Sequence, residues 1–218
     1  YRWKAKNVPQ IFPEPDMPEI HTVIQRLLLG TVPQWEDISK WYWKISIPHI
    51  EKITPEMKRK TDELCAPFNN DKDKIRAIFD FVSQKVRYMG ITTETESPGY
   101  EPHDVSITFE NKYGVCRDKA ALLVSMLRLA GFKAFPVLII ARPKKDEEVP
   151  NPYFNHAITG IEQDDKSYIL MDATNEMSKE LLPSYLCDKS YLAARPEGDT
   201  LTLSPIVPAS ENMLSIKI

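Results

Sequence analysis

Glycine is scarce in this chain: seven in 218 residues, against eighteen prolines. A phosphate-cradling loop needs clustered glycines, so nothing here points to a nucleotide-type cofactor. Few glycines and many prolines argue for stiff connections rather than flexible linkers. Clustered positive charge is missing too. The 28 Lys and Arg residues form no run of five and the formal net charge is −3, which speaks against a nucleic-acid groove. No apolar run reaches eighteen residues, so no segment is expected to span a membrane. No signal peptide is visible, and a start at Tyr1 rather than Met is what a processed or excised piece would show. Close-spaced ligand pairs such as CxxC or HxxxH are absent, so no metal is expected.

Cysteine is sparse but informative. Cys65, Cys116 and Cys187 make an odd count, which leaves one thiol free unless it pairs with another chain. A Cys65–Cys187 bridge in an oxidising compartment and two buried thiols are both open readings.

The 42% hydrophobic content suffices for one sizeable core. Residues 1–20 carry Pro9, Pro13, Pro15 and Pro18, and read as a linker or strap. His21 to Thr31 is mostly apolar and could be a strand or a short helix; its β-branched Thr22, Val23, Ile24 and Thr31 favour the strand. Pro33 opens a helix whose residues Trp35, Ile38, Trp41, Tyr42 and Ile45 share a face. An aromatic stripe of this kind reads as core. Thr54-Pro55 starts a second helix, and Asn70-Asp71 caps a third over 71–87. Residues 88–113 form the longest irregular stretch, and its position before a cysteine favours function.

From Cys116 to Ala130 the sequence is apolar on most sides, the pattern of a helix buried mid-domain, ended by Gly131. Phe132–Ala141 reads as a strand. Tyr153–Ile161 and Lys166–Asp172 read as a hairpin around Glu162-Gln163-Asp164-Asp165. Residues 173–200 read as turns, with last strands at Leu201–Ile206 and Met213–Ile218. Helices first and strands after imply an α+β fold.

Cys116 lies at the start of its helix, where unpaired amides and the helix dipole favour a thiolate. It needs a neighbouring imidazole. A turn centred on 164–165 pairs His156 with Asp172 directly or within one residue. Directly opposed side chains share a face, so Asp172 can hold His156 in the tautomer that serves a nucleophile. The same alternation sets Phe154, Ile158, Tyr168 and Leu170 around the pair as apolar walls. Candidate catalytic residues are therefore Cys116, His156 and Asp172. The Cys116 N–H is one oxyanion donor, and Tyr100, Asn111 or Gln84 could supply a second. Asp118 fits a capping role in the first turn.

Gly114-Val115-Cys116-Arg117-Asp118-Lys119-Ala120, Leu129-Ala130-Gly131-Phe132, Asn155-His156-Ala157 and Leu170-Met171-Asp172-Ala173-Thr174 resemble the transglutaminase-like superfamily over about residues 70–180. The resemblance implies a papain-like core, a cysteine helix on an antiparallel sheet, with a Cys–His–Asp triad. It implies a protein or peptide substrate and no cofactor. Asn7-Val8-Pro9, Glu14-Pro15, Met17-Pro18 and Trp35 to Trp43 resemble a bacterial branch in which this domain follows a β-rich one. That implies 1–20 as the exit from an upstream domain, 21–218 as the transglutaminase-like domain, and a periplasmic or cell-surface address. Members of that branch carry an acid just before the cysteine; here it is Val115. Three readings follow: a thiol peptidase, amidase or cross-linking enzyme; a catalytically degenerate binding or scaffold module; and a small-molecule acyltransferase, which would need a cofactor pocket.

Overall fold

The computed structural model describes residues 2–18, 20–89, 99–141, 144–177 and 179–210. Helix α1 (Ile20–Val23) interrupts an otherwise irregular and exposed lead segment. No strand forms at 21–31: β-branched content favours a strand only where a partner edge or core surface receives it, and Val23, Ile24, Leu27 and Leu29 stay exposed. Helix α2 (Trp35–Ile50) runs through Pro48. Helix α3 (Pro55–Cys65) is capped by Thr54, whose hydroxyl accepts from the Met57 N–H, and α4 (Asp71–Lys85) by Asn70, which accepts from Asp73.

The stretch 88–113 is less irregular than expected. Strand β1 (Arg87–Tyr88) precedes it, and helix α5 (Val105–Asn111) lies inside it. Strand β2 (Tyr113–Gly114) then pairs in parallel with β1. Helix α6 (Cys116–Leu129) follows. Strands β3 (Ala134–Ile139), β4 (His156–Glu162), β5 (Tyr168–Met171), β6 (Ser190–Ala193) and β7 (Thr202–Leu203) form an antiparallel sheet in the order β5-β4-β3-β6-β7. Strand β6, inside the stretch expected to be turns, occupies the sheet interior. The strand expected at Met213–Ile218 lies outside the described residues.

One sheet face is covered by helices. Leu122, Leu123, Met126 and Leu127 of α6 pack with Ile78, Phe79 and Val82 of α4 and with Ile161 and Met171 of the sheet. Beside them Trp35, Ile38 and Tyr42 of α2 meet Leu138 and Leu192, so the aromatic stripe is largely core. On the other face Val137, Ile139, Ile158, Leu170 and Tyr191 are covered by Leu186, with Leu182 against them. Burying apolar surface from both sides of a sheet is what fixes its register. Among the described residues no helix is long and apolar enough to cross a membrane.

The β4–β5 register corrects the expected one. Thr159 pairs with Met171 and Glu162 with Tyr168. Continued, this sets Ile158 rather than His156 opposite Asp172, a slip of two. The loop holds five residues closed by Gln163 N–H to Ser167 O at 2.8 Å, with Lys166 in left-handed backbone at φ 70°. An even slip keeps both side chains on one face, as diagonal neighbours within reach of a His and an Asp.

Candidate functional site

Cys116 occupies the first position of α6, and the residue before it is the N-cap. That residue, Val115, has no side-chain acceptor. The helix start is instead closed by Asp118, whose Oδ2 accepts the Val115 N–H at 3.0 Å. Its Oδ1 accepts from the His103 N–H at 3.0 Å. Gly114 makes this closure fit: a Cβ there would sit 2.7 Å from the Asp118 Cβ. Capping is thus the role of Asp118, as its position in the first turn suggested.

The Cys116 thiol is close enough to the His156 imidazole and to the backbone N–H groups of Ala157 and Arg117 for each to favour its charged form. His156 Nε2 lies 2.9 Å from Asp172 Oδ2, which leaves Nδ1 for the sulfur. The His156 side chain is 11% exposed and that of Asp172 0%. The Asp172 Oδ1 accepts from the Thr174 N–H at 3.0 Å and its hydroxyl at 2.7 Å. Tyr185 donates its hydroxyl to Oδ2 at 2.9 Å. The register slip therefore left intact the pairing that the hairpin was expected to create.

Burial opposes charge on every member, and local partners reverse it. The Cys116 thiol is pushed up by burial, then brought below its ordinary value by the His156 hydrogen bond and charge and by two backbone N–H groups. Burial disfavours the imidazolium, but Asp172 and Cys116 outweigh it and raise His156 to about 9. Burial raises the Asp172 carboxyl, while His156 and Thr174 carry it below the usual range. Each partner thus favours the charged form of the others: imidazolium beside the thiol, and carboxylate beside the imidazolium.

A cavity of about 240 Å³ opens onto the sulfur. Its apolar wall is Tyr42, Tyr100, Leu138 and Phe154, and Arg117 and Asn155 border it. Of the four expected wall residues, Phe154 lines this cavity. Ile158, Tyr168 and Leu170 instead lie in or against the cluster on the far sheet face. Tyr100 lines it too, but its hydroxyl lies 2.6 Å from the Pro152 carbonyl and accepts the Phe154 N–H at 3.0 Å. Its single proton is spent on backbone, so it holds the 152–154 segment and does not face an oxyanion. Gln84 borders a different cavity with Lys60, Phe81 and Lys112, and Asn111 is exposed at the end of α5. The sulfur's nearness thus selects Tyr100 from the three, in another role.

Sequence reasoning missed Tyr185, and quoted Thr174 and Lys119 within motifs without giving either a role. Lys119, read as part of the cysteine motif, is wholly buried. Its Nζ donates to the carbonyls of Ser83 (3.1 Å) and Val86 at the end of α4, a charge placed where a helix C-terminus accepts it. Burial lowers its pKa to about 8. Cys65, Cys116 and Cys187 are all free thiols in this structure.

The chain belongs to the transglutaminase-like superfamily, whose model matches residues 58–173, more than half of it. A solved candidate protease from Parabacteroides distasonis ATCC 8503 is similar with a TM-score of 0.55 and 16% identity, over 76% of this chain and 31% of that one. A candidate cysteine protease from Cytophaga hutchinsonii matches with a TM-score of 0.43 and 21% identity, over 63% and 43%. The periplasmic domain of TgpA from Pseudomonas aeruginosa matches with a TM-score of 0.39 and 18% identity, over 60% and 47%. This chain thus spans less than half the length of each. No curated protein matches it. The Parabacteroides likeness, with the family match, establishes the mixed helix and antiparallel-sheet fold of the transglutaminase-like, papain-like class.

Proposed function

We propose that this domain is a thiol-dependent acyl-transfer enzyme acting on amide or peptide bonds, with Cys116 as nucleophile, His156 as proton carrier and Asp172 as the group that orients it. The supporting observation is that Cys116 and His156 line one cavity while His156 is hydrogen-bonded to the buried Asp172 carboxylate at 2.9 Å. The thiolate attacks the carbonyl carbon, and the C=O electron pair moves onto oxygen. The Cys116 N–H, at the start of α6, is the donor this reading assigns to that oxygen, since Asp118 takes the Val115 N–H instead. Collapse breaks the C–N bond as His156 protonates the leaving amine, giving a thioester. His156 then takes a proton from water, which attacks the thioester and regenerates the thiolate. An amine in place of water would make the same step a cross-link. The apolar wall of the cavity suits hydrolysis of a peptide carrying an apolar side chain at the acyl position.

The reading extends to the rest of the polypeptide: 1–20 as a strap from an upstream β-rich domain, 21–218 as the enzyme domain, and a periplasmic or cell-surface address. Its support is the likeness of residues 7–43 to the bacterial branch. The test of the chemistry is alkylation by iodoacetamide across pH with the adducts mapped. Cys116 is expected to label well ahead of Cys65 and Cys187 at pH 6–7. Equal rates at all three sites would sink the thiolate. Val115 favours a second reading, a silent scaffold on the same fold. That reading predicts fast labelling of Cys116 with no turnover of any peptide or amide.

A further inference from the structure

Asp172 collects four hydrogen-bond donors, two on each oxygen. Among the described residues Oδ1 is held by Thr174 alone, a near neighbour in sequence. Oδ2 is shared between His156 and Tyr185, both at 2.9 Å. Tyr185 comes from the short 3₁₀ turn Ser184–Leu186. That turn is fixed on both sides. Leu186 is fully buried against the outer sheet face. The Leu186 carbonyl accepts from Ser204, whose hydroxyl oxygen also takes the Lys189 N–H at 2.8 Å. The Tyr185 ring is half exposed, yet its hydroxyl reaches a carboxylate with no exposure. It is one of the two donors on that oxygen.

We propose that Tyr185 is a positioning residue of this site, which shares the Asp172 Oδ2 with His156 and so sets how tightly the carboxylate holds the imidazole. The inference rests on the thiol-enzyme reading above. Two donors on one oxygen divide its charge. With the phenol in place, His156 is oriented but still able to release its proton to a leaving amine. Without it, Oδ2 serves His156 alone and the imidazolium is held more firmly. Burial and the Asp172 charge push the Tyr185 hydroxyl well above its ordinary range, so it stays protonated and acts as a donor. The other ionisable groups in this field are Cys116 and Lys119 of α6, Tyr88 of β1, and Glu176, which acts on Lys119.

The test is Tyr185→Phe in the intact chain, with the His156 imidazole followed by NMR against pH beside the alkylation profile of Cys116. Phe keeps the ring and removes only the hydroxyl. The expected result is a His156 titration raised by about 0.5–1 unit, because a hydrogen bond to a charged group has been lost. The alkaline limb of turnover should rise with it, and kcat should fall several-fold at constant KM. Tyr88→Phe is the control: Tyr88 feels the Asp172 charge through space, and its variant should leave the titration unmoved. An unmoved titration in Tyr185→Phe, or an equal shift in Tyr88→Phe, overturns the assignment. Failure of the thiol-enzyme reading looks different: wild-type Cys116 would alkylate no faster than Cys65 and Cys187, while the NMR titration would still decide the Tyr185 contact.

Discussion

Among the described residues His49, His103 and His156 each have a ring nitrogen beside a carboxylate, and His49 and His156 do different things with theirs. His49, near the end of α2, has Nδ1 2.7 Å from Asp104 and Nε2 2.9 Å from Glu101. His156 has a carboxylate on one nitrogen and a thiol on the other. The His49 partners are a third to a half exposed, whereas Asp172 is wholly buried. A His–carboxylate pair is therefore not in itself a site. His49 has acceptors at both ends and nothing to hand a proton to. It clasps α2 to residues 101–104, the segment that follows Tyr100 into the cavity wall. His156 stands between a group that holds and a group that can react, in a dry setting where such interactions are strong.

The widest expected gap between the two is functional. Cys116→Ser should remove acyl transfer, with a loss of about 10⁴-fold or more in kcat/KM, while circular dichroism stays unchanged. Asp172→Asn comes next. It keeps the shape but offers His156 an amide, so kcat should fall by about 10³-fold or more. The fast iodoacetamide reaction of Cys116 at pH 6 should disappear with it. If Asp172→Asn and His49→Gln cost the same activity, the two histidines do not differ in function.

A smaller contrast lies in pH and salt. Asp172 and Cys116 raise the buried His156 to about 9. The fast alkylation of Cys116 should begin below the ordinary thiol range and change again near pH 9, as the imidazolium is lost. Raising NaCl from 0.05 to about 1 M should barely move that upper inflection, because buried pairs escape screening. The His49 titration, read by NMR on the same sample, should fall toward its ordinary value.

Much of this site was legible from sequence, for identifiable reasons. Cys116 could be found because a helix start leaves a local mark: Gly114, a first-turn Asp118 and an apolar run behind them. His156 and Asp172 could be joined because strand alternation depends on parity, and parity survived a register slip of two. The slip itself came from Lys166 in left-handed backbone within a five-residue loop, which no turn rule based on glycine or asparagine anticipates. Helix α5 was missed because Val105, Ile107 and Thr108 are β-branched and its seven residues are helical through packing alone. Strand β6 was hidden in a stretch of turn residues, and its place between β3 and β7 is a tertiary fact. Tyr185 had no signal at all. It is one tyrosine in an irregular segment, and its meaning appears only when the outer layer closes over Asp172.

The smallest expected effect tests the His49 side of the comparison. Burial works against the His49 charge, but the hydrogen bonds and charges of Glu101 and Asp104 outweigh it, so its pKa stands above 6.5. A group raised on folding stabilises fully below its unfolded value. That contribution is lost as pH rises through the folded value. His49→Gln should therefore lower Tm at pH 6 and have a fading effect toward pH 8 and above. Because all three side chains are part-exposed, the loss should be no more than about 1 kcal/mol, or roughly 3 °C in a chain of this length. Cys116 alkylation should keep its rate, since the clasp holds a wall of the cavity and not its chemistry. A variant that left Tm alone but slowed alkylation would make His49 part of the site, and the two histidines would have to be read as one device.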